Sequence, residues 1–402
     1  MEGEQTMKVK SYEIFRCDAG WRTFSFLKLV TDTGPIGWSE YNESFGSPGL
    51  SGTIEALMPS VIGMDPMDIE LVNAVLATKS TQSRGGVVRQ AIAAIENALL
   101  DIKGKALGVP VYRLFGGKLR DRIPVYWSHC GSYRMRNPEI CGTPAVRSYD
   151  DMARTGEEVR RKGFTACKTN IAMEVDGKLR AYRPGFVVGK GFPERNWDAF
   201  IARSAAKTVE AFRAGAGPDV GVMLDTNFHF RTEGFKRIAE AVGPAGLTWL
   251  ELDVHDPRSI ALIRRDAPCP IASGETLLER RDFRPYLEAY AFDTAIVDVI
   301  WNGFNESLKI ASLADVYEVN VAPHNFYGHL ASAISAHFCA AVPNFRIMEI
   351  DIDGVPWRDE IVDTPPVFEN GDYLLPKGPG WGVEPNEAAM RRHPPKTYVV
   401  AQ

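Results

Sequence analysis

Three absences narrow the possibilities for this 402-residue chain before any motif is read. No apolar run reaches the roughly eighteen residues that a membrane span needs, and the polar opening "MEGEQTMKVK" lacks the apolar stretch of a signal peptide. A cytoplasmic protein without membrane contact is therefore expected. Cysteine is sparse: Cys17, Cys130, Cys141, Cys167, Cys269 and Cys339 form no CxxC pair and no dense framework. That argues against a disulfide scaffold and for reduced thiols. A basic excess is also missing. The 46 Lys and Arg are outnumbered by 51 Asp and Glu, a net charge of −5, so nucleic acid is not an expected partner.

What is present is ordinary for a soluble globular chain, with 45% apolar and 24% charged residues. The length suits two domains, or one large α/β barrel with an additional domain. Residues 1–122 read as a small α+β domain. Strand-like runs "SYEIFRC" and "RTFSFLKLVTDTGPIGWSEY" are followed by a helical stretch in which Ile92, Ile95, Leu99 and Ile102 recur at three- and four-residue steps. Thr31 to Gly34 supplies a hairpin turn, and Gly108 with Pro110 stops the helix. Over residues 123–355 the rhythm changes to short apolar strands ("IPVYW", "FTACK", "VGVMLD", "LTWLE", "PIAS", "TAIVD", "NVAP", "RIMEI") alternating with helical segments. Such alternation argues for parallel strands, and so many units argue for a closed barrel. Two long connections, Cys130 to Ser148 and Ile171 to about Arg195, are rich in Gly, Pro and Arg and fall where barrel enzymes shape their sites. Residues 356–402 return to turn-rich sequence and are expected to fold back on the first domain.

The stretch "VGVMLDTNFHF", Val220 to Phe230, carries the first functional signal. On an extended strand Met223, Asp225, Asn227 and His229 share one face. The same kind of ending recurs. Asp225, Glu251, Glu275, Asp298, His324 and Glu349 each close a strand, at intervals of 23 to 26 residues, about one strand-plus-helix unit. One acidic strand end is usually a helix cap; six in phase converge on the mouth of a parallel barrel. Converging carboxylates repel unless a cation joins them, and Asp and Glu oxygens suit Mg²⁺. Asp225, Glu251 and Glu275 lie on consecutive strands and form a natural trio of oxygen ligands. His324 is the best candidate for a base, with Asp298 placed to hold its tautomer.

With "AIAAIENALLDIKGKALGVPVYRLFGG", "CKTN", the trio Asp225, Glu251 and Glu275, the Asp298 position, "PHN" with His324 and "MEID" with Glu349, nearly the whole chain resembles the enolase superfamily and, within it, the mandelate racemase subgroup. The resemblance implies a modified (β/α)7β barrel of the TIM type. It also implies an α+β capping domain made from both termini, one Mg²⁺ per subunit and abstraction of the proton α to a carboxylate, with the metal stabilising the enediolate. Lys168 matches a lysine that contacts the substrate carboxylate and the base, and Lys168 and Glu349 are expected as catalytic residues that hold the enediolate together with the metal. A homo-oligomer is expected.

The pattern departs from that subgroup in three places. Lys-x-Lys on the second barrel strand is Lys168-Thr169-Asn170, and Asn170 cannot accept a proton. Glu-Glu-Pro is Glu251-Leu252-Asp253, and Gly-Gly after the sixth strand is Asn302-Gly303. Losing one of two bases favours a dehydratase, which needs one base and an acid for the departing hydroxyl. His229, Lys168 or Tyr327 could also act as that acid. Candidate substrate contacts are Asn170, Asn227, His229, Asn42 and Asn325. Glu43, Ser44, Arg22, His129, Arg134 and His329 are further polar candidates, and together they favour a polyhydroxylated acid. The expected function is Mg²⁺-dependent dehydration of a sugar acid to a 2-keto-3-deoxy acid. The alternative is an epimerase, racemase or cycloisomerase on a related hydroxy acid. A metal-dependent barrel hydrolase would want His-x-His on the first strand, where "YWSHCG" offers only His129. A non-catalytic sugar-acid binding protein fits poorly with His324, Asp298 and Glu349 beside the ligand set.

Overall fold

The computed structural model describes residues 6–187 and 189–396. The chain begins with an antiparallel meander, β1 (Val9–Asp18), β2 (Thr23–Thr31) and β3 (Ile36–Tyr41). Its β2–β3 turn is the anticipated one, with Gly34 at φ +117°. The helix Gly86–Ala106 packs on this sheet, and Ile92, Ile95, Leu99 and Ile102 are all buried. Gly37 in β3 permits the approach, because a side chain there would collide with the carbonyl of Ala98.

Eight parallel strands then form the barrel: β4 (Arg122–Ser128), β5 (Ala166–Asn170), β8 (Gly221–Asp225), β9 (Trp249–Glu251), β10 (Ile271–Ser273), β11 (Thr294–Val297), β12 (Asn320–Pro323) and β13 (Met348–Asp351). A small hairpin, β6 (Ala172–Val175) with β7 (Lys178–Ala181), interrupts the β5–β8 connection. Closure is made by β13 pairing with β4 and by Val321 of β12 bridging to Phe345. The tail meets both domains. Its hairpin β14 (Phe368–Glu369) and β15 (Asp372–Leu374) adds antiparallel to the start of β4. Trp381 then buries against the capping helix, its indole donating to the Asn97 carbonyl at 3.1 Å. Among the described residues no helix is long and apolar enough to cross a membrane.

The barrel interior explains where the chemistry stands. Tyr126, Ala166, Met223, Trp249, Ala272, Ile296, Ala322 and Ile347 form one buried layer, one residue from each of seven strands and Ile347 from just before β13. Because strand side chains alternate, the residue two positions on occupies the same face one step nearer the mouth. Those residues are Ser128, Lys168, Asp225, Glu251, Gly274, Asp298, His324 and Glu349. Seven are polar and buried. The eighth is Gly274, whose φ of +117° turns the chain so that Glu275 follows one residue out of phase.

Candidate active site

Above this layer lies a cavity of about 630 Å³, closed on the other side by Ser44, Phe45, Gly46 and Ser47 of the capping domain. Asp225, Glu275, His324, Glu349, Asn170, Asn227 and His229 all line it. The strand itself ends at Asp225, and Asn227 sits in a turn at φ +43°. Asn227 and His229 therefore reach the cavity through a turn, not through the extended alternation expected from the sequence. The turn is locked by the Asn227 amide donating to Asp225 Oδ1 at 2.8 Å.

On one wall, His324 Nδ1 is 2.6 Å from Asp298 Oδ2, which also accepts from the Tyr327 hydroxyl. The other Asp298 oxygen caps the following turn at the Trp301 amide. Nε2 of His324 lies 3.5 Å from Glu275 Oε2. Burial alone would lower the His324 pKa, but the Glu275 charge, the Asp298 hydrogen bond and Glu349 outweigh it and lift the imidazole to about 10. On the opposite wall stand Asn170, whose Nδ2 donates to the Asp225 carbonyl at 3.2 Å, and His229. Burial and Arg183 push His229 down to about 3, so this ring stays neutral.

Lys168 does not reach the cavity surface. Its ammonium, buried above Tyr126, lies 2.8 Å from Glu251 Oε1, 3.0 Å from Glu349 Oε1 and 3.6 Å from Asp225 Oδ2. These anions hold it well above the ordinary lysine value despite burial, so it is neither a solvated surface lysine nor a proton acceptor. Glu349 is fixed by Lys168, by Ser128 and by the Asn325 amide at 2.8 Å. Burial would raise it, yet Lys168, His324 and His129 bring it to about 2.

The donor chemistry fits a hard divalent cation. Asp225, Glu251 and Glu275 offer only oxygens, from three neighbouring strand ends. Glu275 is raised well above the usual carboxylate range by burial and by repulsion from Asp253, Asp225 and Glu251, the excess of buried negative charge a cation relieves. Glu251 Oε2 also accepts from the Trp249 indole at 3.0 Å, and its oxygens retain free lone pairs beside these contacts. Among the described residues no three His, Cys, Asp or Glu side chains are gathered around one point.

Several sequence candidates fall elsewhere. Asn42 donates to the Phe45 carbonyl at 3.0 Å and shapes the capping loop. Asn325 spends its amide on Ser332 and the Glu349 carbonyl. Neither lines the cavity, and the structure shows Asn42 and Asn325, expected as substrate contacts, bonded to the protein itself. Glu43 pairs with Arg16, Arg134 with Asp353 and Glu158, and His329 with Asp359. Arg22 crosses from the capping domain to Asp351 at 2.9 Å, a carboxylate shared with His129 and Tyr133. Asp253, the departure from Glu-Glu-Pro, accepts from Ser273 and the Gly274 amide at 3.1 Å and so orients the turn before Glu275. Asn302 holds the Glu279 amide and the Leu277 and Asp298 carbonyls, a structural role. Trp301, Phe326, Arg136 and Arg183 line the cavity without having been anticipated. Both arginines lie in the long Arg-rich connections, the one signal that could have found them.

Known proteins agree with this architecture. Residues 7–116 match the Mandelate racemase / muconate lactonizing enzyme N-terminal domain, and residues 151–389 the Enolase C-terminal domain-like family. D-xylonate dehydratase of Haloferax volcanii is 30% identical over 91% of this chain and 84% of its own. D-galactarolactone cycloisomerase of Agrobacterium fabrum is 29% identical over 92% and 90%. A Burkholderia xenovorans structure, provisionally named an L-alanine-DL-glutamate epimerase and bound to magnesium and fumarate, superposes with a TM-score of 0.95 at 49% identity, covering 97% of this chain and 96% of that one. The chain belongs to the enolase superfamily, within its mandelate racemase and muconate lactonizing enzyme branch.

Proposed function

We propose that the protein is a Mg²⁺-dependent hydro-lyase that removes the α-proton of a sugar acid and expels the β-hydroxyl, giving a 2-keto-3-deoxy acid. The observation that carries this reading is the asymmetry of the cavity: one wall holds the His324–Asp298 pair, the other Asn170, Asn227 and a histidine that burial keeps neutral. The dehydratase names of relatives such as the Haloferax protein support the reaction class, and the magnesium in the Burkholderia neighbour supports the cofactor.

Asp225, Glu251 and Glu275 would hold the ion. When bound, magnesium would supply the positive charge that stabilises the substrate carboxylate as it gains electron density, and would relieve the upward pull of Glu275 on His324. Nε2 of His324 takes the α-proton while Asp298 holds Nδ1 and stabilises the imidazolium. The same imidazolium returns that proton to the β-hydroxyl as the C–O bond breaks, so the leaving group is water. The enol product tautomerises to the ketone without a second stereospecific base. Lys168 is a positioning residue that fixes Glu251 and Glu349 from below. Glu349, as a carboxylate, accepts hydrogen bonds from substrate hydroxyls. Asn170, Asn227 and His229 contact the substrate on the far wall.

The test is solvent deuterium exchange at the substrate α-carbon. His324→Asn is expected to eliminate it, and Asp298→Asn to reduce it about a hundredfold while substrate still binds. Undiminished exchange in His324→Asn would overturn the assignment of the base.

A further inference from the structure

Most arginines around the barrel mouth are spoken for. Arg22 pairs with Asp351, Arg134 with Asp353 and Glu158, and Arg358 donates to the carbonyls of Asp351 and Tyr327. Arg136 and Arg183 are different. Both are half-buried, both line the cavity, and among the described residues neither makes an ion pair or a side-chain hydrogen bond. Arg136 Nε is buried with no partner at all. What holds the two guanidinium groups is aromatic: Arg136 lies 5.3 Å from the Tyr133 ring centre, and Arg183 5.3 Å from that of Phe186. They come from separate connections that meet here, since the helix Ser132–Arg136 packs against β7, and Arg183 follows β7 by two residues.

Two like charges partly desolvated with no carboxylate at ion-pair distance, Asp351 acting on Arg136 only from farther off, are costly unless something else completes the arrangement. Burial and repulsion from Arg136 lower the Arg183 pKa to about 10, and burial lowers that of Arg136 against the partial offset of Tyr133 and Asp351. The same cavity carries the opposite imbalance on its barrel floor, where Asp225, Glu275 and Glu349 face it. A ligand spanning it would place one carboxylate toward the cation held by the floor and a second anionic group toward the arginines. Guanidinium planes suit a carboxylate, which they grip through paired N–H donors.

We propose that Arg136 and Arg183 form a second anion subsite, and that the substrate is a hydroxylated dicarboxylic acid whose distal carboxylate docks there. This rests on the reading of the floor as the site of the reacting carboxylate. The subsite sets specificity by binding the distal end; it takes no part in the proton transfers.

The test needs no knowledge of stereochemistry. Binding of unreactive dicarboxylates from malonate to adipate, each compared with the monocarboxylate of equal length, is measured by calorimetry on the magnesium-loaded protein. At least one diacid is expected to bind about tenfold to a hundredfold more tightly than its monoacid. Arg136→Gln and Arg183→Gln should each erase most of that advantage and leave monoacid binding unchanged. No diacid advantage in the wild-type protein would overturn the inference, whatever the folding of the variants. So would an equal loss of mono- and diacid binding in folded variants. A terminal phosphate preferred over a carboxylate, tested with gluconate 6-phosphate against glucarate, would also overturn it. The outcome separates from the reaction class: a diacid advantage with products that keep all their oxygens sinks the dehydration and leaves the subsite standing.

Discussion

The two walls of the cavity rise from opposite sides of one barrel and differ in the groups they present to a proton. On the β11–β12 side, Asp298 and His324 are hydrogen-bonded at 2.6 Å, and the imidazole is drawn upward by the surrounding carboxylates. On the β5–β8 side the positions beyond Lys168 and Asp225 are the amides Asn170 and Asn227, and the histidine there, His229, is held neutral by burial and by Arg183. Titration behaviour here follows the neighbours of a residue more than its type. His324 and His229 are chemically identical side chains with opposite shifts.

The largest effect should come from the floor that both walls share. Glu251→Gln, or removal of divalent cations by a chelator, is expected to cut turnover by about 10⁴-fold or more, with circular dichroism unchanged. Retained activity in chelated protein would detach the chemistry from the carboxylates. Next is the proton-active wall. His324→Asn should lower turnover by about 10³-fold, read by steady-state rates on the same substrate. The opposite wall should matter far less. His229→Gln is expected to cost less than about tenfold, without displacing the pH profile of kcat, because the ring does not titrate in the working range. A displaced profile would make the second wall proton-active after all.

The smallest catalytic effect belongs to the frame that carries both walls. Burial would raise the Asp351 carboxyl, but His129, Arg22 and Arg358 hold it well below the usual carboxylate range. A group depressed on folding contributes stability above its unfolded pKa, about 3.9 for Asp, and loses it as pH falls below that. Asp351→Asn should therefore lower the melting temperature at pH 7, by about 3 kcal/mol of stability. The difference from wild type should shrink in melts taken below pH 4.

Much of this was legible in the residues themselves. Strand parity with an apolar layer beneath brought Lys168, Asp225, Glu251, Asp298, His324 and Glu349 to one mouth, because a barrel repeats one geometry eight times. Glu275 broke that parity, and only the left-handed turn at Gly274 returns it to the site. For Asn42 and Asn325 composition does not distinguish an amide that serves the backbone, as both do here, from one that meets a ligand. Arg136 and Arg183 were hidden for a different reason. They sit in irregular connections, where no periodicity tells which side chains turn inward.

The most direct test of the central claim, one-sided proton chemistry ending in loss of water, is NMR analysis of the product formed in deuterated buffer with magnesium. The expected product is a 2-keto-3-deoxy acid with one oxygen fewer than its hydrated precursor and deuterium at C3. A product that keeps every oxygen and differs only in configuration at C2 would contradict it and make the protein an epimerase.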